Sequence, residues 1–432
     1  MSRLWILNGC LSLLFGCAPV VIAATQAPAP EPTATLESIQ ITGSSHFRPE
    51  QILQAIGLHA GTSVTRDDLQ KAANDLARLG PFRSVQYRFA SSGNGVAAEY
   101  QVVDAPTVPV RYDNFPWFTD DEITAALRAS VVLFDGTAPE NGSILDAMAK
   151  TIQGMLAARG VQSGVVHALT RSPFGNGTIQ EFRADNSAVT VASVQFTDSL
   201  AEQDRGIHTR LGDLIDKPYS RGALELFEFE QVRPVYLSHA LLHVQFAPPK
   251  VQLSAGPGAN RAAVVLPVDP GTAFTWEGVT WSGALAITPA ELDGFVGLQK
   301  GAPADGTKIE AIWEAAREAY AKRGYLDAVI AATPQFKSGQ SSVAYVASVT
   351  EGPQYHMGQL ILSGLSEEGE RRIRGAWPMA PGAAFDKSYY DQFLQSGITR
   401  ALMGLPFHYD KIGRYLLKNP QNATVDILLD FE

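Results

Sequence analysis

The stretch LQKAANDLARLGPFRSVQYRF (69–89) joins a helix-like pattern to an alternating, strand-like one across Gly80, and the same join recurs down the chain. It returns at Gly160 in LDAMAKTIQGMLAARGVQSGVVHAL (145–169), 80 residues later, and at Gly324 in KRGYLDAVIAATPQF (322–336). LELFEFEQVRPVYLSHALLHVQF (224–246) stands where a third copy belongs, with Ser238-His239 in place of Gly, and is the weakest copy. YYDQFLQSGITRALMGLPFHYDKI (389–412) stands where a fifth belongs, with Gly404 near its stop. A fixed period of this length restricts the fold to a series of small supersecondary units.

The fourth copy shows what one unit contains. FTWEGVTWSG (274–283) alternates and reads as a strand. Thr288 is placed to cap a first helix with Pro289 at its first position. A long helix follows, its apolar stripe formed by Ile309, Ile312, Ala316 and Ala319 or Tyr320. Gly324 can take the left-handed conformation that ends a helix, so the spacing predicts a strand entered at once from Tyr325. KSGQ is a hairpin turn, and SSVAYVASVTEG a third strand. The expected fold class is α+β: five tandem β-α-α-β-β units, each a three-stranded sheet covered on one face by two helices, in an elongated array. The expected boundaries are 35–105, 106–187, 188–269 (a degenerate copy), 270–352 and 353–432, after a signal peptide over 1–23 and a Pro/Ala-rich linker over 24–34.

The leader predicts export. Arg3 precedes an apolar run that reaches Ala24, and Val21-Ile22-Ala23 suits cleavage after Ala23. Leu14-Phe15-Gly16-Cys17 supplies a second route, in which Cys17 is lipidated; a retained anchor is a third. Both cysteines, Cys10 and Cys17, lie in this segment, so cleavage after Ala23 leaves no disulfide. The 34 Lys+Arg against 44 Asp+Glu give a net charge of −10, which disfavours nucleic acid and polyanionic partners.

The unit resembles the POTRA (polypeptide-transport-associated) domain. Gly61, Leu69, Gly80 and Phe82 match its pattern in the first unit, and Gly301, Gly324, Tyr325, Glu351 and Gly352 in the fourth. The array is similar to the periplasmic part of BamA- and TamA-type outer-membrane assembly factors, but the sequence closes with ATVDILLDFE, leaving no residues for a membrane β-barrel. The resemblance implies a periplasmic location, whether or not tethered to the outer membrane. It also implies partners that are unfolded outer-membrane proteins or a separate barrel, with membrane association indirect or through a lipid. It implies strand addition at the strand after the long helix: Ser84, Val85, Gln86, Tyr87, Arg88 and Phe89 in the first unit, and Tyr325, Leu326, Asp327, Ala328, Val329 and Ile330 in the fourth.

Two rival classes stand beside this one: a lipid-anchored structural spacer, and an enzyme on a repeat scaffold. The sequence offers no Gly-x-Ser-x-Gly elbow, no His-Glu-x-x-His and no phosphate-cradling loop, so no catalytic, metal or cofactor residues are assigned and no cofactor is expected. His239 and His243 have helical metal-ligand spacing but no evident third ligand. DNFPWFTDDE (113–122) reads as a Thr119 cap with acids in the first turn, and Trp117 is a candidate sugar platform. LELFEFEQV (224–232) reads as one helix with a charged face and Phe227 toward the core.

Overall fold

The computed structural model describes residues 33–172, 177–254, 260–337, 339–405 and 409–432; the leader, both cysteines and most of the linker lie outside them. The described residues fall into two compact bodies, one within 33–108 and 128–148 and the other within 109–127 and 149–432.

The first body contains the whole first repeat: opening strand Ala34–Thr42, helix Pro49–Ile56, long helix Arg66–Leu79, middle strand Phe82–Ser92 and closing strand Gly95–Asp104. The fourth repeat, in the second body, has the same order: Thr275–Ser282, Pro289–Asp293, Gly306–Lys322, Val329–Phe336 and Ser342–Thr350. The fifth repeat opens with His356–Ser363 and closes with Thr424–Phe431, its middle strand being Ile412–Asn419. The third repeat carries the complete order too, opening with Thr190–Phe196, followed by middle strand Lys250–Leu253 and closing strand Arg261–Leu266. In the second repeat the strands Thr107–Tyr112, Val165–Arg171 and Thr178–Ala184 take these places.

One topology governs all five. Opening and closing strands pair parallel, and the middle strand pairs antiparallel with the closing strand, which is therefore central. A parallel pair cannot be joined by a tight turn, so the helices and the middle strand form the crossover between its members. The helices cover one face. In the fourth repeat Trp276, Ile309, Ile312, Trp313, Ala316, Tyr320, Val343 and Ala347 meet there, all buried. Thr288 caps the first helix through a reciprocal pair of hydrogen bonds with Glu291, as its sequence predicts. Among the described residues no sheet closes on itself, and no helix is long and apolar enough to cross a membrane.

The long helices end in left-handed residues at Gly80, Gly160, Ala240, Gly324 and Gly404. The third stop is thus Ala240 (φ 62°), not Ser238-His239, and it lies 80 residues after Gly160. At Gly160, Ala240 and Gly324 the next residue's N–H reaches back to the carbonyl five residues earlier: Val161 to Leu156 (2.9 Å), Leu241 to Tyr236 (3.1 Å) and Tyr325 to Tyr320 (3.0 Å). This is the Schellman termination.

The strand after Gly324 does not begin at Tyr325. Tyr325, Leu326, Asp327 and Ala328 form a turn, and the strand starts at Val329. The turn is needed at the junction with the fifth repeat. The carbonyl of Gly324 accepts from Tyr355 N–H at 2.8 Å, while Asp327 receives the Tyr355 hydroxyl at 2.6 Å and is paired by Lys418. The third repeat docks the fourth alike, the Ala240 carbonyl accepting from Phe274 N–H at 3.0 Å. The helix stop therefore also receives the chain entering the next repeat.

A Cβ on Gly324 would come 2.6 Å from the Tyr355 carbonyl oxygen, whereas one on Gly160 would meet open space. Both residues are left-handed, which costs a non-glycine roughly 1–2 kcal/mol. Gly160→Ala is expected to lose about that amount in urea unfolding, and Gly324→Ala distinctly more, because its methyl must also displace the junction backbone.

Candidate strand-addition edges and a buried acid

What holds the middle strand at the sheet's edge is the clamp between the opening and closing strands. Gly43, Gly283 and Gly364 end the opening strands of repeats one, four and five, and a Cβ on them would overlap the carbonyl oxygens of Val102, Val349 and Phe431 at 2.1, 2.4 and 1.9 Å. Beyond each glycine, the chain is tied to the end of the closing strand. Asp104 accepts from the Ser44 and Ser45 hydroxyls (2.7 and 2.9 Å) and from Ser45 N–H (2.7 Å). Glu351 accepts from Leu285 and Ala286 N–H, both at 2.7 Å, and from the Tyr320 hydroxyl at 3.0 Å. In the fifth repeat the tie comes from the last residue before the glycine, Ser363 donating to Asp430. Repeats two and three lack the glycine and use other chemistry. Asn114 bonds both backbone groups of Ala184 (2.6 and 2.9 Å), and the Thr197 hydroxyl accepts from Val268 N–H at 2.9 Å. The sequence motif Glu351-Gly352 is therefore structural: its carboxylate joins the opening-strand loop, the long helix and the closing strand.

The two edges of each sheet differ. The opening strand's outer side is partly occupied: Ala34 and Thr35 pair with Val64 and Ser63, and single bridges join Thr190 to Pro218, Thr275 to Pro303 and His356 to Ala384. The middle strand bonds the closing strand only, among the described residues. Ser84, Val85, Gln86, Tyr87, Arg88 and Phe89 all lie within the first repeat's middle strand. Of the fourth repeat's candidates, Val329 and Ile330 lie in a middle strand; Tyr325 to Ala328 lie in the junction turn described above.

These edges are not equivalent as templates. Phe82–Ser92 is eleven residues long and has no proline. Val329–Phe336 contains Pro334, paired opposite Tyr345. Proline is tolerated in an edge strand only where its missing N–H would face outward, so Pro334 removes a donor from the exposed side. Lys250–Leu253 has four residues and follows Pro248-Pro249.

The other singled-out residues have structural surroundings. Trp117 packs against the third repeat's core. His239 Nδ1 lies 2.8 Å from the Val235 carbonyl, and His243 meets Phe274 edge-on (4.8 Å) and Phe336 at a tilt (4.2 Å). LELFEFEQV is not one regular helix with a charged face. Arg221–Phe227 is α-helical, Glu228–Val232 is a π turn, and Glu228 is only 3% exposed. Phe227 does face the core. Glu228 lines a cavity of about 350 Å³, and among the described residues no hydrogen bond reaches its Oε1. Burial, reinforced by Glu225, pushes its carboxyl up to about 8. Neither the π turn nor this burial could be read from spacing, because both depend on how the third repeat packs on itself, with Phe246, Pro248 and Pro249 beside Glu228.

Together these features define the class: a tandem array of α+β repeats, each presenting one strand edge that is unpaired among the described residues. The POTRA family model, described as "Surface antigen variable number repeat", matches residues 34–105 and 274–352, the first and fourth repeats. Those two repeats match the POTRA model, and the chain is an array of POTRA-like units. Among solved structures it is similar to BamA POTRA3-5 of Haemophilus influenzae (17% identity, 56% of this chain and 96% of that chain, TM-score 0.45). It is also similar to the N-terminal domain of Omp85 from Thermosynechococcus elongatus (18%, 55% and 98%, TM-score 0.23) and to CdiB from Escherichia coli (20%, 48% and 33%, TM-score 0.22).

The clamp makes stability depend on pH. Partial burial raises the Glu351 pKa, but the bonds from Leu285, Ala286 and Tyr320 outweigh it and hold it below the ordinary value of 4.5. A depressed carboxylate contributes stability above its unfolded-state pKa and loses it as the pH falls through the folded one. Glu351→Gln is expected to cost roughly 1–3 kcal/mol at neutral pH. In urea melts across pH, its deficit against the wild type should shrink once the pH drops below the ordinary glutamate range.

Proposed function

We propose that the chain is a periplasmic scaffold that binds extended polypeptide segments by strand addition and so assists outer-membrane protein assembly or export together with a separate barrel or envelope partner. The observation that carries this reading is the unpaired, proline-free eleven-residue edge Phe82–Ser92 in a POTRA repeat. Backbone groups along such an edge recruit a strand with little regard to its sequence, which suits many unfolded clients. The alternating pattern adds a modest side-chain term. Tyr87 stacks on Tyr100 at 5.9 Å and on Phe89 at 6.4 Å, and Phe89 is 45% exposed at the rim.

The reading belongs to the backbone, so side-chain truncations along the edge are expected to have small effects. A photo-crosslinking residue placed at Gln86 or Ala90 in the exported chain is expected to capture unfolded outer-membrane β-barrel polypeptides, while the same residue at Lys71 on the long helix captures none. Introducing proline at Phe89, which stands opposite Ala98 as Pro334 stands opposite Tyr345, removes an outward N–H and should reduce the capture. In the fourth repeat the converse holds: Pro334→Thr is expected to increase capture at Gln335. Equal capture from the helix and the edge, or none from the edge, contradicts strand addition.

A further inference from the structure

Glu228 has no partner for its buried Oε1, yet it lines a cavity. The cavity's other walls include Arg221, Glu225, Phe229, Phe246, Pro248 and Pro249. The cations nearby are already engaged. Arg221 pairs with Asp120 and, at 2.7 Å, with Glu225; Arg111 pairs with Glu225 at 2.6 Å; Arg183 lies 3.5 Å from Asp113. Asp113 is itself buried and takes the Ser220 hydroxyl and Gly222 N–H at 2.9 and 2.7 Å. Glu181 lies 3.8 Å from Arg183, and Tyr219, whose hydroxyl burial keeps protonated, also lies near Arg221. Once Glu228 is ionised, the acids Asp113, Asp120, Glu181, Glu225 and Glu228 outnumber the arginines Arg111, Arg183 and Arg221. The site therefore lacks a cation and has no unmet need for an anion.

The walls also say what kind of cation. Phe246 and two prolines offer apolar surface suited to a methylene stem that carries a charged head. A π turn such as Glu228–Val232 is a distortion that recurs at functional positions. The turn Ala247-Pro248-Pro249 also borders a larger crevice of about 540 Å³ lined by Trp117 and Phe118, and it leads straight into the edge strand Lys250–Leu253.

We propose that this cavity is a subsite for the basic side chain of a bound polypeptide segment, its ammonium or guanidinium group pairing with Glu228. The proposal rests on the polypeptide-binding reading above and adds to it a side-chain preference in the third repeat, whose strand edge is too short to hold a segment by backbone bonds alone. At rest Glu228 is a neutral acid. When the cation arrives, the carboxyl gives its proton to solvent and the ion pair remains.

The test uses the exported chain and the probe Nα-acetyl-lysine N-methylamide, with its norleucine analogue as control. Calorimetric titration near pH 7 in buffers of different ionisation enthalpy is expected to show saturable binding of the lysine probe with release of about one proton, and no binding of the norleucine probe. Glu228→Gln is expected to abolish the proton release and weaken binding about tenfold or more. Equal binding of both probes, or proton release unchanged in Glu228→Gln, overturns the proposal, as does no binding at all. Folding is checked separately. A raised carboxyl pKa makes stability fall as the pH climbs from 4.5 towards 8, so Glu228→Gln should raise the melting temperature more at pH 8 than at pH 5. A variant less stable than the wild type at pH 8 would make Glu228 a structural partner and refute the subsite. Edge crosslinking that fails while proton-coupled probe binding persists would refute strand addition but not the cation site; the opposite pattern would refute the cation site alone.

Discussion

The parallel pairing of each repeat's first and last strands is the constraint from which the rest of the architecture follows. Two parallel neighbours need a crossover, and here it consists of the helices and the middle strand. The closing strand then has its two sides filled, by the opening strand and by the middle strand, and among the described residues the middle strand is left with one side unpaired. The pairing is enforced at close range. Glycine permits the opening strand of three repeats to approach a closing-strand carbonyl more nearly than any side chain would allow, and a carboxylate, an amide or a hydroxyl fastens the loop that follows. The repeat tolerates different residues at this clamp because the requirement is for a polar group that satisfies backbone N–H or C=O there, not for one side chain.

A second constraint links the repeats. The left-handed stop of one long helix exposes a carbonyl, and in the third and fourth repeats that carbonyl accepts an N–H from the residue just before the next opening strand. Termination of a helix and orientation of the following repeat are thus one event. At the last junction Asp327, Tyr355 and Lys418 add a second tie, the Lys418 and Tyr355 contacts holding the Asp327 carboxyl below its ordinary pKa.

Much of this was legible in the sequence because it rests on local physics. The period, the Thr288 cap, the stripe Ile309–Ile312–Ala316 and the glycine stops are each set by a few adjacent residues. What escaped depends on partners distant in the chain. Ala240 occupies a glycine-like conformation that composition does not suggest, although the period pointed to its position. Tyr325 to Ala328 alternate like a strand, yet the next repeat claims them as a docking turn. Glu228 follows Phe227 in a stretch that reads as amphipathic, and its burial arises only from the π turn and the loop Pro248-Pro249 packed beside it. The strand edges fall between these cases. Their place after the long helix is visible in the sequence, whereas their inequality, with Pro334 blunting one of them, acquires meaning only from the sheet order.

The central claim is that a client adds to the array through backbone bonds along a middle-strand edge. Amide hydrogen exchange of the chain, with and without an unfolded outer-membrane β-barrel segment, tests it most directly. The account predicts new protection at alternate amides of Phe82–Ser92, those facing away from the closing strand, with little change in Val329–Phe336 near Pro334. Protection confined to the helical faces, or no change along any middle strand at saturating client, would contradict it.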